Sequence, residues 1–404
     1  MLEGQRGPAF RKAMEILCRL GEIYGAERMV PVSSVHMPGS SVIVAGEAGT
    51  RFVEETAARG GVFAAYTTLN PAAGDLERWS SLGFPPDVMA NQQRLTAAYR
   101  RMGAVACHTC TPYLMGHLPR LGEHVAWGES SAVAFANSVL GARTNREGGP
   151  SALASALTGR APAYGLHLDE NRRGQVLVRV GCELRTLTDY GRLGYLVGRE
   201  CQDRIPVFTG IPASATLDEL KMLGAALASS GSVALFHVAG VTPEAPTGEA
   251  VFGGREPEQS LDVTESDLAA GSASLNRARG EPLGLVAIGC PHASVPEIRE
   301  VASRLRGSRL HDSLHLWVMT AGPTKQMADR MGYTQAITEA GGQVICDTCP
   351  ILAPARALVE RFGYRSVATN SAKLAHYAPG QWGLPVYFGD LDQCIRAAIT
   401  GNWG

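Results

Sequence analysis

The chain has 404 residues, 45% of them hydrophobic and 19% charged, which is enough length for two or three domains and enough apolar content for a large core. Lys and Arg number 37 against 38 Asp and Glu, so the net charge of −1 leaves no basic excess to neutralise a phosphate backbone and argues against a general nucleic-acid binder. No apolar run approaches the roughly 18 residues of a membrane span, and the opening Met1-Leu2-Glu3-Gly4 lacks an apolar signal core, so a cytoplasmic protein without membrane contact is expected.

In chain order, Phe10, Met14, Ile16, Leu17, Leu20 and Ile23 recur at helical spacing and predict a helix over Pro8–Tyr24. Short apolar runs then alternate with helical stretches. Strands are expected at Met29–Val35, Val62–Thr67, Val125–Trp127, Val176–Val180, Ser232–Val238, Leu283–Ile288, His315–Met319 and Gln343–Cys346. Helices are expected at Gly49–Arg59, Pro86–Met102, Ala132–Leu140, Ser151–Gly159, Leu217–Ser229, Ser294–Leu305, Lys325–Ala340 and Pro354–Phe362. This alternation predicts an α/β fold with mainly parallel sheets flanked by helices. Gly and Pro, 47 and 23 in number, fall mostly at strand ends, where such folds place ligand loops. The Gly-rich stretch Thr242–Gly254 and the acidic run to Asp267 suggest a boundary near residue 240. That gives lobes 1–240 and 241–404, with three domains as the alternative.

Nine cysteines in a long chain with no secretory signal do not suggest a disulfide framework. Three of them share a setting: Cys110 in Cys107-His108-Thr109-Cys110-Thr111-Pro112, Cys290 in Gly289-Cys290-Pro291-His292, and Cys349 in Cys346-Asp347-Thr348-Cys349-Pro350. Each follows a strand end, and each is followed within two residues by a proline, which stiffens the turn beyond the thiol. Iron–sulfur ligation uses a similar pattern. A zinc site of two C-x-x-C pairs would normally draw both from one short ribbon, and these pairs lie far apart. A thioredoxin-like redox pair would want one exposed motif. A three-cysteine site with an open coordination position is the sharper reading. Cys18, Cys182, Cys201 and Cys394 read as small buried hydrophobes.

Polar loops accompany these thiols. His36-Met37-Pro38-Gly39-Ser40-Ser41 follows the first strand and Thr67-Thr68-Leu69-Asn70-Pro71 the second. Either is an ordinary turn or an anion grip. Glu129 and Ser130 stand at a helix start, where capping alone would account for them. The loop Thr144–Ser151, with Glu147, feeds another helix and matches no nucleotide motif. Only four lysines occur, so 33 of the 37 basic residues are Arg. Lys373, in Thr369-Asn370-Ser371-Ala372-Lys373, is a candidate anion clamp, whereas Lys221 reads as one side of an amphipathic helix.

Taken together, Gly21-Glu22-Ile23-Tyr24-Gly25-Ala26-Glu27-Arg28, Thr67-Thr68-Leu69-Asn70-Pro71, Cys110-Thr111-Pro112-Tyr113, Trp127-Gly128-Glu129-Ser130-Ser131, Gly289-Cys290-Pro291-His292, Asp347-Thr348-Cys349 and Thr369-Asn370-Ser371-Ala372-Lys373 resemble the large subunit of aconitase X, in order along essentially the whole chain. The resemblance implies an aconitase-like three-domain arrangement lacking the swivelling small domain. It also implies a hydro-lyase that acts on a small hydroxy acid. The metal ligands would be Cys110, Cys290 and Cys349, holding an iron–sulfur cluster of the 2Fe–2S or 4Fe–4S kind or a mononuclear iron. Glu129, Ser130 and Lys373 would be catalytic. His36, Gly39, Ser40, Ser41, Thr68, Asn70, Pro71, Glu147, Asn370 and Ser371 would bind substrate. A separate small subunit in a heterodimer would complete the site and bring a serine at or near the position of the base.

The family's reactions include dehydration of cis-3-hydroxy-L-proline to Δ1-pyrroline-2-carboxylate and of mevalonate 5-phosphate to trans-anhydromevalonate phosphate. The Arg-rich, Lys-poor composition suits a GC-rich bacterial genome, so the hydroxyproline reaction is the expectation and the phosphomevalonate reaction the alternative. A metal-binding or redox protein without dehydratase activity is the remote third reading.

Overall fold

The helix expected at the start of the chain runs Pro8–Ile23, burying Phe10, Ala13, Met14 and Leu17 along one face. Pro8 sits in its first turn, where the missing N–H removes no helical hydrogen bond. The computed structural model describes residues 1–404 and divides the strands beyond this helix among three parallel sheets and one short antiparallel ribbon.

The first sheet has the order Tyr66–Leu69, Ser34–Met37, Ala126–Trp127, all parallel. The strand expected over Met29–Val35 is really two. Met29–Pro31 pairs antiparallel with Arg160–Pro162, and Ser34–Met37 enters the parallel sheet. The second sheet has the order His237–Val238, Pro206–Thr209, Val176–Val180, Gln259–Val263. It straddles residue 240, so a division there cuts through one sheet. The stretch Thr242–Asp267 that suggested a boundary supplies the strand Gln259–Val263 and the start of the helix Glu265–Leu275, and it buries Val251 and Phe252. The molecule therefore has three parallel-sheet lobes, the alternative to the two-lobe division.

The third sheet has the order Gln343–Cys346, His315–Thr320, Leu285–Ile288, Val367–Thr369, Val386–Phe388. Its chain order reverses between Leu285–Ile288 and Val367–Thr369. A doubly wound sheet opens a crevice at the carboxyl ends of the strands flanking such a reversal.

The helix Leu187–Cys201, absent from the sequence expectations, contains Gly191, Gly194 and Gly198, which lower helix propensity. Packing overrides that preference. A β-carbon at Gly194 would stand 2.4 Å from the Leu223 carbonyl oxygen, and one at Gly198 3.0 Å from that of Leu227, so the glycines let the helix lie against Leu217–Gly231. The single helix expected over Lys325–Ala340 is two, Gly322–Arg330 and Tyr333–Glu339, parted at Gly332 with φ 74°. No helix is long and apolar enough to cross a membrane.

Candidate active site between the first and third lobes

The carboxyl ends of the first and third sheets face one another. The parallel bridge between Ala72 and Thr348, with the Ala72 N–H donating to the Asp347 carbonyl at 2.6 Å, joins the two lobes there. The loop after Ser34–Met37 is fixed from several sides. Ser40 donates to the Asn70 carbonyl at 2.5 Å, and Ser41 caps the helix Val42–Ala58 while its hydroxyl reaches the Leu352 carbonyl at 3.4 Å. Gln92, fully buried, donates to the Ser40 carbonyl at 2.8 Å and accepts from the N–H groups of Val42 and Ala73. No motif pointed to Gln92. Its one signal is position, a polar residue on the buried stripe Met89, Gln92, Leu95, Thr96, Tyr99 of its helix.

Glu129 and Lys373 meet across the lobes. Lys373 Nζ donates to Glu129 Oε1 at 2.6 Å and to Ser131 Oγ at 3.0 Å. Glu129 is also the cap of the helix Ser130–Ser138: its Oε2 accepts from the Ala132 N–H at 2.6 Å and from Ser131 Oγ at 2.7 Å. Ser130 donates to Glu129 Oε1 at 3.4 Å, and its neighbour Ser131 is the serine that touches both charges. Burial would raise the Glu129 pKa, but the Lys373 ammonium and these hydrogen bonds outweigh it and bring it down to about 2. Burial would likewise lower Lys373, and Glu129 with the nearby thiols holds it above its ordinary value.

Cys110, Cys290 and Cys349 are free, buried and mutually close enough that each ionisation is raised by another's charge. Burial is the larger cause. It pushes Cys290 and Cys349 up to about 12 and Cys110 further, while Lys373 pulls all three down. The other thiols of the two C-x-x-C pairs keep different company: Cys107 and Cys346 both feel the Asp347 carboxylate. The reversal point of the third sheet lies here, where the Ser371 hydroxyl donates to the Cys290 carbonyl. His292 braces the cluster, its N–H donating to Cys110 Sγ at 3.2 Å, its Nε2 to the Thr348 carbonyl at 2.8 Å, and its Nδ1 meeting the Thr109 hydroxyl at 3.0 Å. No three His, Cys, Asp or Glu side chains surround one point as ligands of a single ion. The donor chemistry nonetheless fits an iron centre: three buried thiols beside one ammonium become stable thiolates when further positive charge sits among them.

The other candidates have varied surroundings. His36 is buried and near enough to Glu129 to feel its charge, and the Asn70 Oδ1 is buried without a partner. Thr68 stands behind His36, and Pro71 precedes the Ala72 bridge. Glu147 lines an open cleft of about 800 Å³ with Lys12, Arg19 and Tyr164, and no thiol shares it. Asn370 lines another, of about 560 Å³, with Thr188, Asp218 and Glu297. Lys221 departs most from expectation. It is fully buried, donating to Asp218 at 2.9 Å and to Glu297 of the third lobe, with the His292 carbonyl at 3.4 Å. An i,i+3 acid on its own helix, Asp218, was the available signal.

Three parallel-sheet lobes, the first and third bringing buried thiols against a lysine–carboxylate pair, fit the aconitase-like class of protein. The chain belongs to the aconitase X family, whose first, second and third domains match residues 1–170, 174–272 and 283–400. It is 46% identical to the phosphomevalonate dehydratase large subunit of Methanothermobacter thermautotrophicus, over 98% of this chain and 96% of that one. It is 39% identical to the cis-3-hydroxy-L-proline dehydratase of Pseudomonas aeruginosa, over 100% of this chain and 69% of the relative. Its fold matches the crystal structure of the holo-form of Thermococcus kodakaraensis aconitase X with a TM-score of 0.88 at 41% identity, covering 98% and 97% of the two chains. Relatives named dehydratases on this scale make the chain a member of a dehydratase family.

Proposed function

We propose that this chain is the large subunit of a phosphomevalonate dehydratase, acting with a separate small subunit. The observation that carries the chemistry is the convergence of Cys110, Cys290 and Cys349 on the Lys373–Glu129 pair. The substrate rests on likeness. Large subunits named for phosphomevalonate are 35–46% identical, four of them at 40% or more, and match this chain over nearly their whole length, whereas the hydroxyproline dehydratases are 38–39% identical and half as long again. The preference for hydroxyproline drawn from composition gives way here, because an Arg-rich chain reports a genome and not a pocket.

Cys110, Cys290 and Cys349 would hold the iron centre, as a cluster or a single iron. When bound, it supplies a Lewis acid for the departing hydroxyl of a 3-hydroxy acid. The rest falls to the chain's own groups. Lys373 stays charged and holds the substrate carboxylate, where negative charge grows as the α-proton leaves. Glu129 stays ionised, too weak a base to take that proton, and keeps Lys373 charged and aimed. Ser131 fixes both. Ser40, Ser41, Asn70 and Ser371 line the anion-facing loops, and His36 presents a neutral imidazole. The base that removes the α-proton then comes from the small subunit, as the family resemblance implies.

The test is an anaerobic assay of the assembled subunits after iron reconstitution, with mevalonate 5-phosphate and cis-3-hydroxy-L-proline compared under the same conditions. Dehydration of the phosphate ester is expected. Turnover of hydroxyproline with none of phosphomevalonate overturns the substrate assignment.

A further inference from the structure

Behind the site, two imidazoles share one hydroxyl. His36 Nδ1 lies 2.8 Å from Thr68 Oγ1, and the same oxygen lies 2.9 Å from His117 Nδ1. His36 is the deeper of the two, with no exposed surface, while His117 keeps 4% and packs edge-on against the half-exposed Tyr66. The outer nitrogens, His36 Nε2 and His117 Nε2, are both buried and without a hydrogen-bond partner. Trp127 flanks both rings, with centroids 5.7 Å and 4.7 Å away, and holds them in place. The strand register makes this arrangement possible, since His36 pairs directly with Thr68 on one neighbour and with Trp127 on the other. His117, in the loop after Cys110, belongs to none of the motifs read from the sequence.

A hydroxyl has one hydrogen. Between two neutral imidazoles it donates to one Nδ1 and accepts from the other, so the rings hold opposite tautomers. One outer nitrogen then carries a hydrogen and the other a lone pair. Burial keeps both rings neutral, drawing His36 down to about 4 and, with the His36 charge as a second cause, His117 to about 3.

We propose that His36, Thr68 and His117 form a proton relay that connects the buried reaction site to the outer side of the first lobe. A proton taken up at His36 Nε2 displaces the one on Nδ1 to Thr68 Oγ1. Thr68 passes its own hydrogen to His117 Nδ1, and His117 gives its Nε2 proton to solvent water admitted at the rim beside the half-exposed Tyr66. Each residue ends with the number of hydrogens it began with, one proton has crossed, and both tautomers have reversed. Run inward, the same chain delivers the proton that turns the departing hydroxide into water. His36 is the member that faces the site. Thr68 and His117 act through it as positioning and conducting residues. This inference deepens the dehydratase reading and rests on it.

The experiment has two arms. In the first, the chain is labelled with nitrogen-15 histidine and its imidazole signals are compared for the parent, Thr68→Val and Thr68→Ser. Opposite neutral tautomers for His36 and His117 at pH 7 are expected in the parent and in Thr68→Ser, with the correlation lost in Thr68→Val. The same tautomer on both rings of the parent overturns the relay whatever the enzyme's substrate. In the second, the assembled, iron-loaded complex is assayed on the substrate it turns over. Thr68→Val and His117→Gln should each lower kcat by 10-fold or more with KM within twofold. Thr68→Ser should restore most of the rate and the parent's solvent isotope effect. A Thr68→Val complex with parental kcat and isotope effect overturns the relay and leaves the dehydratase reading standing, whereas a parent inactive on either substrate strikes that reading, with the tautomer result still deciding the relay's hardware.

Discussion

Lys221 and Lys373 are both buried between lobes and both held by carboxylates, yet their company differs. Lys221 has two acids to itself, Asp218 on its own helix and Glu297 across the joint between the second and third lobes. Lys373 has one, Glu129, and shares its space with a serine and three thiols. Where two fixed carboxylates already surround one ammonium, no charge is left to act on anything else, and the group is a fastener. Where the carboxylate is matched one to one beside titratable thiols, the arrangement suits the anion grip proposed for Lys373. The number and kind of neighbours, not burial, separates the site from the joint.

The thiol side of that contrast carries the largest expected effect. Cys110→Ser, Cys290→Ser and Cys349→Ser should each abolish iron retention and turnover in the reconstituted complex, while Cys107→Ser and Cys346→Ser keep both. Iron and sulfide analysis beside the rate decides it, and full activity in all three of the first set would end the assignment. Next comes Lys373→Met, expected to lower kcat by about 10²–10³-fold, the scale on which a positioned donor to developing charge is lost.

Lys221→Met should invert the pattern. Removing one partner of a buried ion network costs about 3–5 kcal/mol, so a large fall in urea midpoint is expected with the rate per folded molecule changed little. A Lys221→Met enzyme that is stable but inactive would erase the distinction between the two lysines. Smaller still is a pH effect at Glu129. Its folded pKa is depressed from the ordinary 4.5 to about 2, so its contribution to stability is present above 4.5 and is lost as pH falls toward 2. Urea unfolding of Glu129→Gln and the parent at a series of pH values should show the gap between them narrowing across that window, and a constant gap would contradict the ion pair. Least of all, Arg94→Ala removes only surface contacts, the pairs to Glu47 and Glu54 and a hydrogen bond to Asn91, and should cost about 0.5 kcal/mol or less.

The reading of particular residues shows where sequence reasoning stops. Cys110, Cys290 and Cys349 stood out because proline-bound turns at strand ends are local features. Glu129 and Lys373 stood out as a helix cap and a rare lysine, each from its own stretch of chain. The sequence puts Ser130 forward and does not single out Ser131, because the contact that does so is with Lys373, 242 residues onward. His117 was missed entirely, since its importance lies in a hydroxyl 49 residues earlier. Nothing in the sequence marks Lys221 as a joint, because helical spacing reports one helix's faces and says nothing of the Glu297 that meets it.

By itself the sequence determined the α/β class, the parallel sheets, the thiol loops and the family, because periodicity, turn chemistry and motif order are written along the chain. Tertiary structure alone decided that the lobes are three, that Gly194 and Gly198 belong in a helix, which thiol of each C-x-x-C lies near Lys373, and which of two buried lysines stands beside the thiols. Those answers depend on what stands within a few ångströms in space, and burial makes each such neighbour count by removing the water that would otherwise screen it.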